Sequence, residues 1–223
     1  MPFLPLDLNH PEISLAMWHV EENETYFRDR LNIYANEEEI LTRISHPQKR
    51  LEWLSSRLCL KEMLEIRHPV ESLNENTGKP YLSDHSFNIS YSHSNLFSGA
   101  IASARQPVSI DLEDLSKKRN TATSRLFMHP TELKFFQESN DIRNFFLIWS
   151  AKETLYKMYA KKGIAFKDNL KVNPEQAELQ PSGIVSGIIE IDEYRKVYPI
   201  HYRFFPGVLL TYTFGDGMSA GTQ

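Results

Sequence analysis

Residues 108–113 read Val-Ser-Ile-Asp-Leu-Glu, and this alternation of apolar and polar side chains predicts a β-strand. Successive side chains of a strand point to opposite faces, so Ile110 and Leu112 are expected in the core. Asp111 and Glu113 then share the other face, where two like charges repel unless a cation lies between them. A Mg²⁺ ion suits this pair, because it binds one or two protein carboxylates together with substrate phosphate. The alternative is an exposed edge strand with solvated acids.

A helix further along the chain carries a third acid. Residues 149–157 read Trp-Ser-Ala-Lys-Glu-Thr-Leu-Tyr-Lys, within a segment whose apolar residues recur at helical spacing. Glu153 and Lys157 lie one turn apart on the face opposite the apolar stripe. They form either an ordinary i,i+4 pair, worth roughly 0.2–0.5 kcal/mol, or part of a site with Asp111 and Glu113. Periodicity does not decide between these interpretations.

Two polar segments upstream offer groups for a phosphate. Lys79 stands between Gly78 and Pro80, which predicts a turn. Ser92 and His93 fall between two predicted strands, so a tight polar turn is expected there. The lysine is either a phosphate contact or a plain turn residue. The histidine is a metal ligand, a base, a phosphate contact or none of these.

The composition excludes several classes of protein. The 223 residues include 25 basic and 29 acidic side chains, and a net charge of −4 gives no overall attraction for nucleic acid. A hydrophobic share of 41% allows a sizeable core and excludes disorder as the main architecture. The single cysteine, Cys59, excludes an intrachain disulfide and favours a reducing compartment. No apolar run approaches about 18 residues, and the first nine residues lack the basic start of a signal peptide, so we expect a cytoplasmic protein.

Each half of the chain is predicted to contain strands and one long helix. Expected strands cover residues 14–20, 87–91, 97–102, 108–113, 187–191, 197–205 and 208–214. Expected helices start at Asn36 and cover residues 47–66, 117–127, 131–138 and 141–162, the last ending at Gly163. The segment just before Pro107 is the predicted boundary, which divides the chain into residues 1–105 and 106–223.

These segments together resemble the two-domain 4′-phosphopantetheinyl transferases, the type that activates surfactin synthetase. That family has a (V/I)D(I/V)E strand, which residues 108–113 match, and further along the chain W-(S/T)-x-K-E-x-x-x-K, which residues 149–157 match. Phe127 and Glu132 resemble a Phe-to-Glu segment between these motifs. Ser109 departs from the pattern, since the family usually has glycine there.

The upstream segments resemble the same family in the same order. The family's K-R-x-E-x-L-x-x-R helix is matched by residues 49–57, and its G-K-P segment by residues 78–80. Its N-(I/L)-S-H-S segment is similar to residues 89–94, which read Ile-Ser-Tyr-Ser-His-Ser. A second serine, Ser90, precedes the Ser-His pair, and we align His93 with the family's histidine because this keeps the spacing to Asp111.

The resemblance implies an α+β fold of two similar α+β subdomains that form a pseudo-dimer, with the active site in the cleft between them. The expected protein is a monomer. The implied reaction transfers 4′-phosphopantetheine from coenzyme A to a serine of an acyl or peptidyl carrier protein. It depends on Mg²⁺ and releases adenosine 3′,5′-bisphosphate. Residues 1–105 would contact the coenzyme A phosphates, and residues 106–223 would carry the metal-binding acids and the catalytic helix.

The resemblance also assigns individual residues. The implied metal ligands are Asp111, Glu113 and Glu153. Glu153, directly or through a water, would activate the carrier serine, while Lys157 would neutralise the pyrophosphate. The residues expected to contact coenzyme A are Arg50, Lys79, Ser92, His93, Asp111, Lys152 and Lys157. Arg57 is expected either to contact phosphate or only to support its helix.

Carrier docking is expected on residues 117–138, whose basic side chains include Lys117, Lys118, Arg119 and Arg125. A solvated helix face is the alternative. Two rival functions stay open: another Mg²⁺-dependent enzyme acting on a nucleotide diphosphate, and a non-catalytic relative that binds coenzyme A or a carrier protein. The presence of all three acids and Lys157 argues against the second rival.

Overall fold

The computed structural model of the chain describes residues 2–66, 70–118, 120–177 and 180–219. The chain forms two compact units, Met1–Leu112 and Glu113–Gln223. Helices and antiparallel sheets occur in both units, which confirms the α+β class. The boundary between the units follows Leu112, inside a strand, and not the loop at residue 105. Of the described helices, none is both long enough and apolar enough to cross a membrane.

The first unit is built on a six-stranded antiparallel sheet. Its strands are β1 (Phe3–Leu6), β2 (Ser14–His19), β3 (Ser72–Asn74), β4 (Pro80–Leu82), β5 (Asn88–Ser94) and β6 (Phe97–Ser103), in the order β1-β2-β6-β5-β4-β3. Its helices are α1 (Glu24–Arg30), α2 (Ala35–Arg43) and α3 (Pro47–Met63). Leu54 and Leu58 of α3 are fully buried in one apolar cluster with Ala100 of β6, so the long helix covers the sheet.

Local sequence explains where the helices of the first unit begin. Pro47 occupies the first turn of α3, where its missing N–H costs no hydrogen bond. Helix α2 starts one residue before the predicted Asn36, because the Glu37 carboxylate accepts a hydrogen bond from the Tyr34 N–H at 3.1 Å and caps the first turn.

The second unit contains a sheet in the order β7-β11-β10-β9-β8. These strands are β7 (Val108–Asp114), β8 (Leu170–Asn173), β9 (Ser182–Ile191), β10 (Tyr194–Phe205) and β11 (Val208–Phe214), and a short β12 (Met218–Ser219) pairs with β10. The helices are α4 (Ser124–Phe127), α5 (Pro130–Ser139), α6 (Ile142–Tyr159) and α7 (Phe166–Asn169). Strand β7 starts in the first unit and ends in the second.

Helix α6 lies close against its sheet. A Cβ atom on Gly187 of β9 would stand 2.8 Å from Ile200 and 3.0 Å from Leu155, so only glycine allows this approach. Leu155 is fully buried and packs in one cluster with Val185 and Ile189. The tight packing fixes the helix that carries Glu153.

Several predicted elements need correction. The expected helix over 117–127 is only a 3₁₀ turn at Thr121–Thr123 followed by α4. Helix α6 ends before Gly163, since Ala160 has a left-handed φ of 53°. Ser92 and His93 lie within β5 and not in a turn. The chain reverses only after this strand, at Asn95, which has a φ of 52°.

Candidate active site

The two carboxylates of β7 are buried. All seven residues of the strand are buried, and Asp111 and Glu113 are 5% and 7% exposed. The alternative of solvated acids on an exposed strand is therefore wrong. Carboxylates taken out of water need hydrogen bonds or a cation to offset the lost hydration.

Ser92 holds the first of these carboxylates. Its Oγ donates to Asp111 Oδ1 at 3.1 Å and accepts from the Leu112 N–H at 2.9 Å. Ser90, two residues earlier on the same face of β5, accepts from the Ile110 N–H at 3.4 Å. The predicted Ser92 and Asp111 are thus brought together inside the first unit, with the serine acting on the carboxylate.

Trp149 of α6 holds the second carboxylate. Its indole Nε1 donates to Glu113 Oε1 at 2.6 Å. Glu153 and Lys157 follow Trp149 at intervals of four residues, so all three share one face of the helix. The α6 face that carries Glu153 therefore meets the Glu113 end of β7. Both Glu153 and Lys157 are half-buried there.

An adjacent side of α6 is tied to β11 by buried hydroxyl groups. Thr211 Oγ1 lies 2.8 Å from Ser150 Oγ and 2.7 Å from Thr154 Oγ1, and all three side chains are fully buried. Thr211 also donates to the Ser150 carbonyl at 3.1 Å. These bonds fix the rotation of α6 about its axis and so the direction of the Glu153 face.

Lys152 does not face the carboxylates. Its ammonium is fully buried, 2.7 Å from Glu132 Oε2, and donates to the carbonyls of Phe127 at 2.7 Å and Phe166 at 3.0 Å. Three acceptors match the three protons of the group. The prediction that Lys152 contacts phosphate is corrected accordingly: the side chain joins α6 to α4 and α7.

Glu132 completes this buried network. Its carboxylate accepts from the N–H groups of His129 and Val172, both at 2.7 Å. Burial raises the pKa of Glu132 and lowers the pKa of Lys152, and the attraction between the two groups opposes both shifts. The Glu132–Lys152 pair thus links helices α4, α5, α6 and α7 with strand β8.

His93 lies on the other face of β5, next to α3. Its Nδ1 is 3.0 Å from Glu52 Oε2, and Lys49 Nζ is 2.7 Å from the same oxygen. Glu52 is 5% exposed, whereas His93 and Lys49 are 41% and 59% exposed. Burial alone would raise the pKa of Glu52, but the hydrogen bonds from His93 and Lys49 lower it to about 2. The result is a buried carboxylate beneath an exposed lysine and an exposed histidine.

The remaining predicted phosphate contacts lie elsewhere in the first unit. Arg50 Nε donates to Glu24 Oε2 at 2.8 Å, and its Nη1 donates to the Ile44 carbonyl at 3.2 Å. Lys79 follows the β3–β4 turn, where Gly78 has a φ of 91° and the Lys79 carbonyl accepts from the Glu75 N–H at 2.9 Å. Arg50 and Lys79 are both partly exposed.

Comparison with known protein families identifies the superfamily of part of the chain. Residues 107–213 match the family model described as the 4′-phosphopantetheinyl transferase superfamily. This segment is a domain of that superfamily. Comparison with curated proteins gave no match. The match supports a phosphopantetheinyl transferase, and members of this superfamily act on carrier proteins with coenzyme A as the substrate and typically with a divalent metal.

The acids of this phosphopantetheinyl transferase domain suit a hard divalent cation. Within the described ranges, no group of three or more His, Cys, Asp or Glu side chains is arranged to hold a metal ion by itself. Mg²⁺ does not require such a cage, because it usually keeps water and substrate phosphate alongside one or two carboxylates. Asp111 and Glu113, two buried oxygen donors on one strand, fit that pattern.

Several residues that hold the candidate site together carry no clear signal in the sequence. Trp149 was assigned to the motif without a role, and Glu52 and Lys49 were not recognised as partners of His93. The only sequence pattern that indicates the Lys49–Glu52 contact is their spacing of three residues on a helix. For Trp149 and Thr211 no local signal exists, since both act on residues that are distant in the sequence.

Proposed function

We propose that the chain transfers 4′-phosphopantetheine from coenzyme A to a serine of an acyl or peptidyl carrier protein, with Mg²⁺, releasing adenosine 3′,5′-bisphosphate. The observation that carries this proposal is the 2.6 Å hydrogen bond from Trp149 to Glu113. It joins the two motifs of the superfamily domain and turns the Glu153 face of α6 toward the carboxylate strand. The superfamily match over residues 107–213 supports the same reaction.

Asp111, Glu113 and Glu153 are the proposed oxygen ligands of the metal. Bound there, Mg²⁺ would neutralise charge on the pyrophosphate of coenzyme A. Ser92 and Trp149 keep the two β7 carboxylates in fixed orientations through their hydrogen bonds. Such partners of a metal ligand commonly affect metal affinity by about 10–100-fold.

Glu153 is the proposed general base. Its carboxylate takes the proton of the carrier serine, and the serine oxygen attacks the phosphorus attached to the pantetheine arm. The bond from that phosphorus to the bridging oxygen breaks, and adenosine 3′,5′-bisphosphate leaves with the oxygen. Lys157, one turn further on α6, offsets the charge that develops on the phosphate oxygens.

The proposed contacts to the coenzyme A phosphates are Arg50, Lys79, Ser92, His93, Asp111 and Lys157. His93 is the best supported of them, since its ring is 41% exposed and Glu52 holds its Nδ1 at 3.0 Å. Arg50 brings a guanidinium that suits phosphate geometry. Lys152 is left out because its three protons are used inside the second unit.

Residues around α4 form the proposed docking surface for the carrier. Leu126 is 77% exposed, and it neighbours Arg125 in α4. Lys117 and Lys118 precede the helix and are also exposed, whereas the predicted Arg119 lies outside the described residues. Carrier proteins are typically acidic, so basic side chains around an exposed leucine suit them.

The test is a mass measurement on an apo-carrier protein incubated with the chain, coenzyme A and Mg²⁺. We expect one phosphopantetheine added to the carrier, dependent on the metal and abolished by Asp111→Ala. Glu153→Gln should reduce kcat by about 10²–10⁴-fold, the usual contribution of a general base, while circular dichroism shows an unchanged fold. Full activity of Glu153→Gln would overturn its assignment.

The same assay separates the rival functions. A non-catalytic relative would bind coenzyme A without modifying any of several carriers. Another enzyme of nucleotide diphosphates would cleave a nucleotide substrate with Mg²⁺ but leave every carrier unmodified. The carboxylates of Asp111, Glu113 and Glu153 suit either enzyme, so the mass of the carrier protein is the deciding measurement.

A further inference from the structure

A small cavity lies in the first unit, and neither Asp111 nor His93 is among its lining residues. Its volume is about 50 Å³, and its lining includes Tyr34, Glu37, Arg57, Leu60, Ile66 and Tyr91. A water molecule needs roughly 10–15 Å³ of such volume, so the cavity has room for about three to five non-hydrogen atoms. Asn32, which is exposed, also lines it, so the cavity opens to the surface.

Arg57 brings a positive charge into this cavity. Its guanidinium lies 3.6 Å from the centre of the Trp53 ring and 4.9 Å from that of Tyr91, so two aromatic rings fix its position. Its hydrogen bonds to described residues both use Nη1, which donates to the Trp53 carbonyl at 3.1 Å and to Ser56 Oγ at 3.4 Å. Nε is buried and has no partner in the part of the chain that the structure describes.

The hydroxyl of Tyr34, another residue of the cavity lining, is also buried. Like Arg57 Nε, it has no hydrogen-bond partner among the described residues. Both groups are donors, and a buried donor without an acceptor is unfavourable because it has lost its hydrogen bond to water. A group with acceptor oxygens would satisfy both.

Glu37 does not supply these acceptor oxygens. Its Oε2 accepts from the Tyr34 N–H at 3.1 Å, and its Oε1 accepts from the Ser72 N–H at 3.1 Å. The carboxylate is thus held by the backbone of α2 and β3. Burial lowers the pKa of Arg57 only to about 10, so the guanidinium keeps its charge at neutral pH.

We propose that this cavity binds a short monocarboxylate. One of its oxygens accepts a hydrogen bond from Arg57 Nε–H, and the other accepts one from the Tyr34 hydroxyl. The planar guanidinium fork matches a carboxylate better than it matches a single-atom anion. Leu60, Ile66 and Leu82 give the rest of the lining an apolar character that suits one or two carbon atoms. The size limits the ligand to acetate or propionate and excludes an aromatic acid. The site is separate from the proposed transferase reaction.

Nuclear magnetic resonance tests this site without coenzyme A or a carrier protein. The probes are sodium acetate and sodium propionate, added to ¹⁵N-labelled protein at constant ionic strength, with sodium chloride as the reference salt and sodium benzoate as the size control. We expect the Arg57 Nε–H signal, identified by its loss in Arg57→Lys, to shift in a saturable way with acetate and propionate only.

Tyr34→Phe removes one donor and leaves the charge in place. It should weaken acetate binding about tenfold, the effect of one hydrogen bond to a charged group. Tyr26→Phe, which removes a hydroxyl from the same unit outside the cavity, should leave the affinity unchanged. If Arg57→Lys does not fold, the Tyr34→Phe and Tyr26→Phe pair still decides the matter. A site that holds water only would give no saturable shift, or equal shifts with chloride, and either result would overturn the proposal.

Discussion

Two carboxylate–cation clusters of this chain use the same chemistry in opposite settings. In the second unit, Glu132 and Lys152 are both fully buried, and every proton of the ammonium has a protein acceptor. In the first unit, Glu52 is buried but its partners His93 and Lys49 are about half exposed. The Glu132–Lys152 cluster is closed to solvent, whereas in the Glu52 cluster His93 and Lys49 are exposed to solvent.

The difference separates a structural pair from a proposed binding group. A closed pair cannot meet an anionic substrate, and its removal acts on the fold. In the open cluster, Lys49 and His93 stay at the surface. The buried carboxylate of Glu52 holds them in place and leaves their outer sides exposed to solvent. Sequence motifs that contain Lys and His do not distinguish these settings, because the difference lies in burial alone.

The largest effect is expected from breaking the closed pair on one side. Lys152→Met leaves Glu132 as a buried charge and should lower the free energy of unfolding by about 3–5 kcal/mol, measured by urea denaturation. The double variant Lys152→Met/Glu132→Gln should recover part of this loss, because it removes both charges and keeps one acceptor oxygen for the N–H groups of His129 and Val172. A loss below about 1 kcal/mol for Lys152→Met would show that the pair is not closed.

Acid should weaken the open cluster next. The pKa of Glu52 is about 2 in the folded chain against an ordinary 4.5, so its contribution is complete above pH 4.5 and disappears as the pH falls from 4.5 to 2. The shift corresponds to as much as about 3 kcal/mol. Urea denaturation across this pH range should show the loss in the native chain but not in Glu52→Gln. The surface variant Glu39→Gln is the control and should behave like the native chain.

Removing the histidine of the open cluster should affect binding more than stability. His93→Gln is expected to raise KM for coenzyme A by about 10–100-fold, since a hydrogen bond to a charged phosphate is lost. His19→Gln is a matched control, because His19 is 40% exposed and also pairs with a glutamate, Glu21, at 3.1 Å. Equal KM values for the two variants would contradict the phosphate role of His93.

The smallest effect is expected at the outer lysine of the open cluster. Lys49→Ala should lower the free energy of unfolding by about 0.2–1 kcal/mol, as for other exposed ion pairs. The difference should shrink when salt is added, because salt screens exposed charges. An effect as large and as salt-independent as that of Lys152→Met would remove the distinction between the two clusters.

Sequence patterns located the central elements but not the environment of each side chain. Strand β11 runs over Val208–Phe214 as predicted, because its length and alternation are local properties. Strand β1 was missed, since it contains Pro5 and forms only by pairing with β2. The closed position of Lys152 could have been suspected, because it follows Ile148 by four residues and so borders the apolar stripe.

The contacts that define the candidate site were beyond sequence reasoning for a physical reason. The Trp149–Glu113 bond links residues that are far apart along the chain, and side-chain spacing describes one element at a time. The Glu52–His93 contact joins a helix to a strand in the same way. The family resemblance supplied the residue types, while their burial and partners depended on packing.

The indole of Trp149 also gives the chain an optical signal. Tryptophan emission depends on the charges near the ring, and this ring is bound to the carboxylate of Glu113. A cation that draws on the same carboxylate should change the emission of Trp149. The other two tryptophans are Trp18 and Trp53, and the variant Trp149→Phe identifies the part of the change that comes from Trp149. Fluorescence can therefore follow metal loading in real time, with no label and no carrier protein.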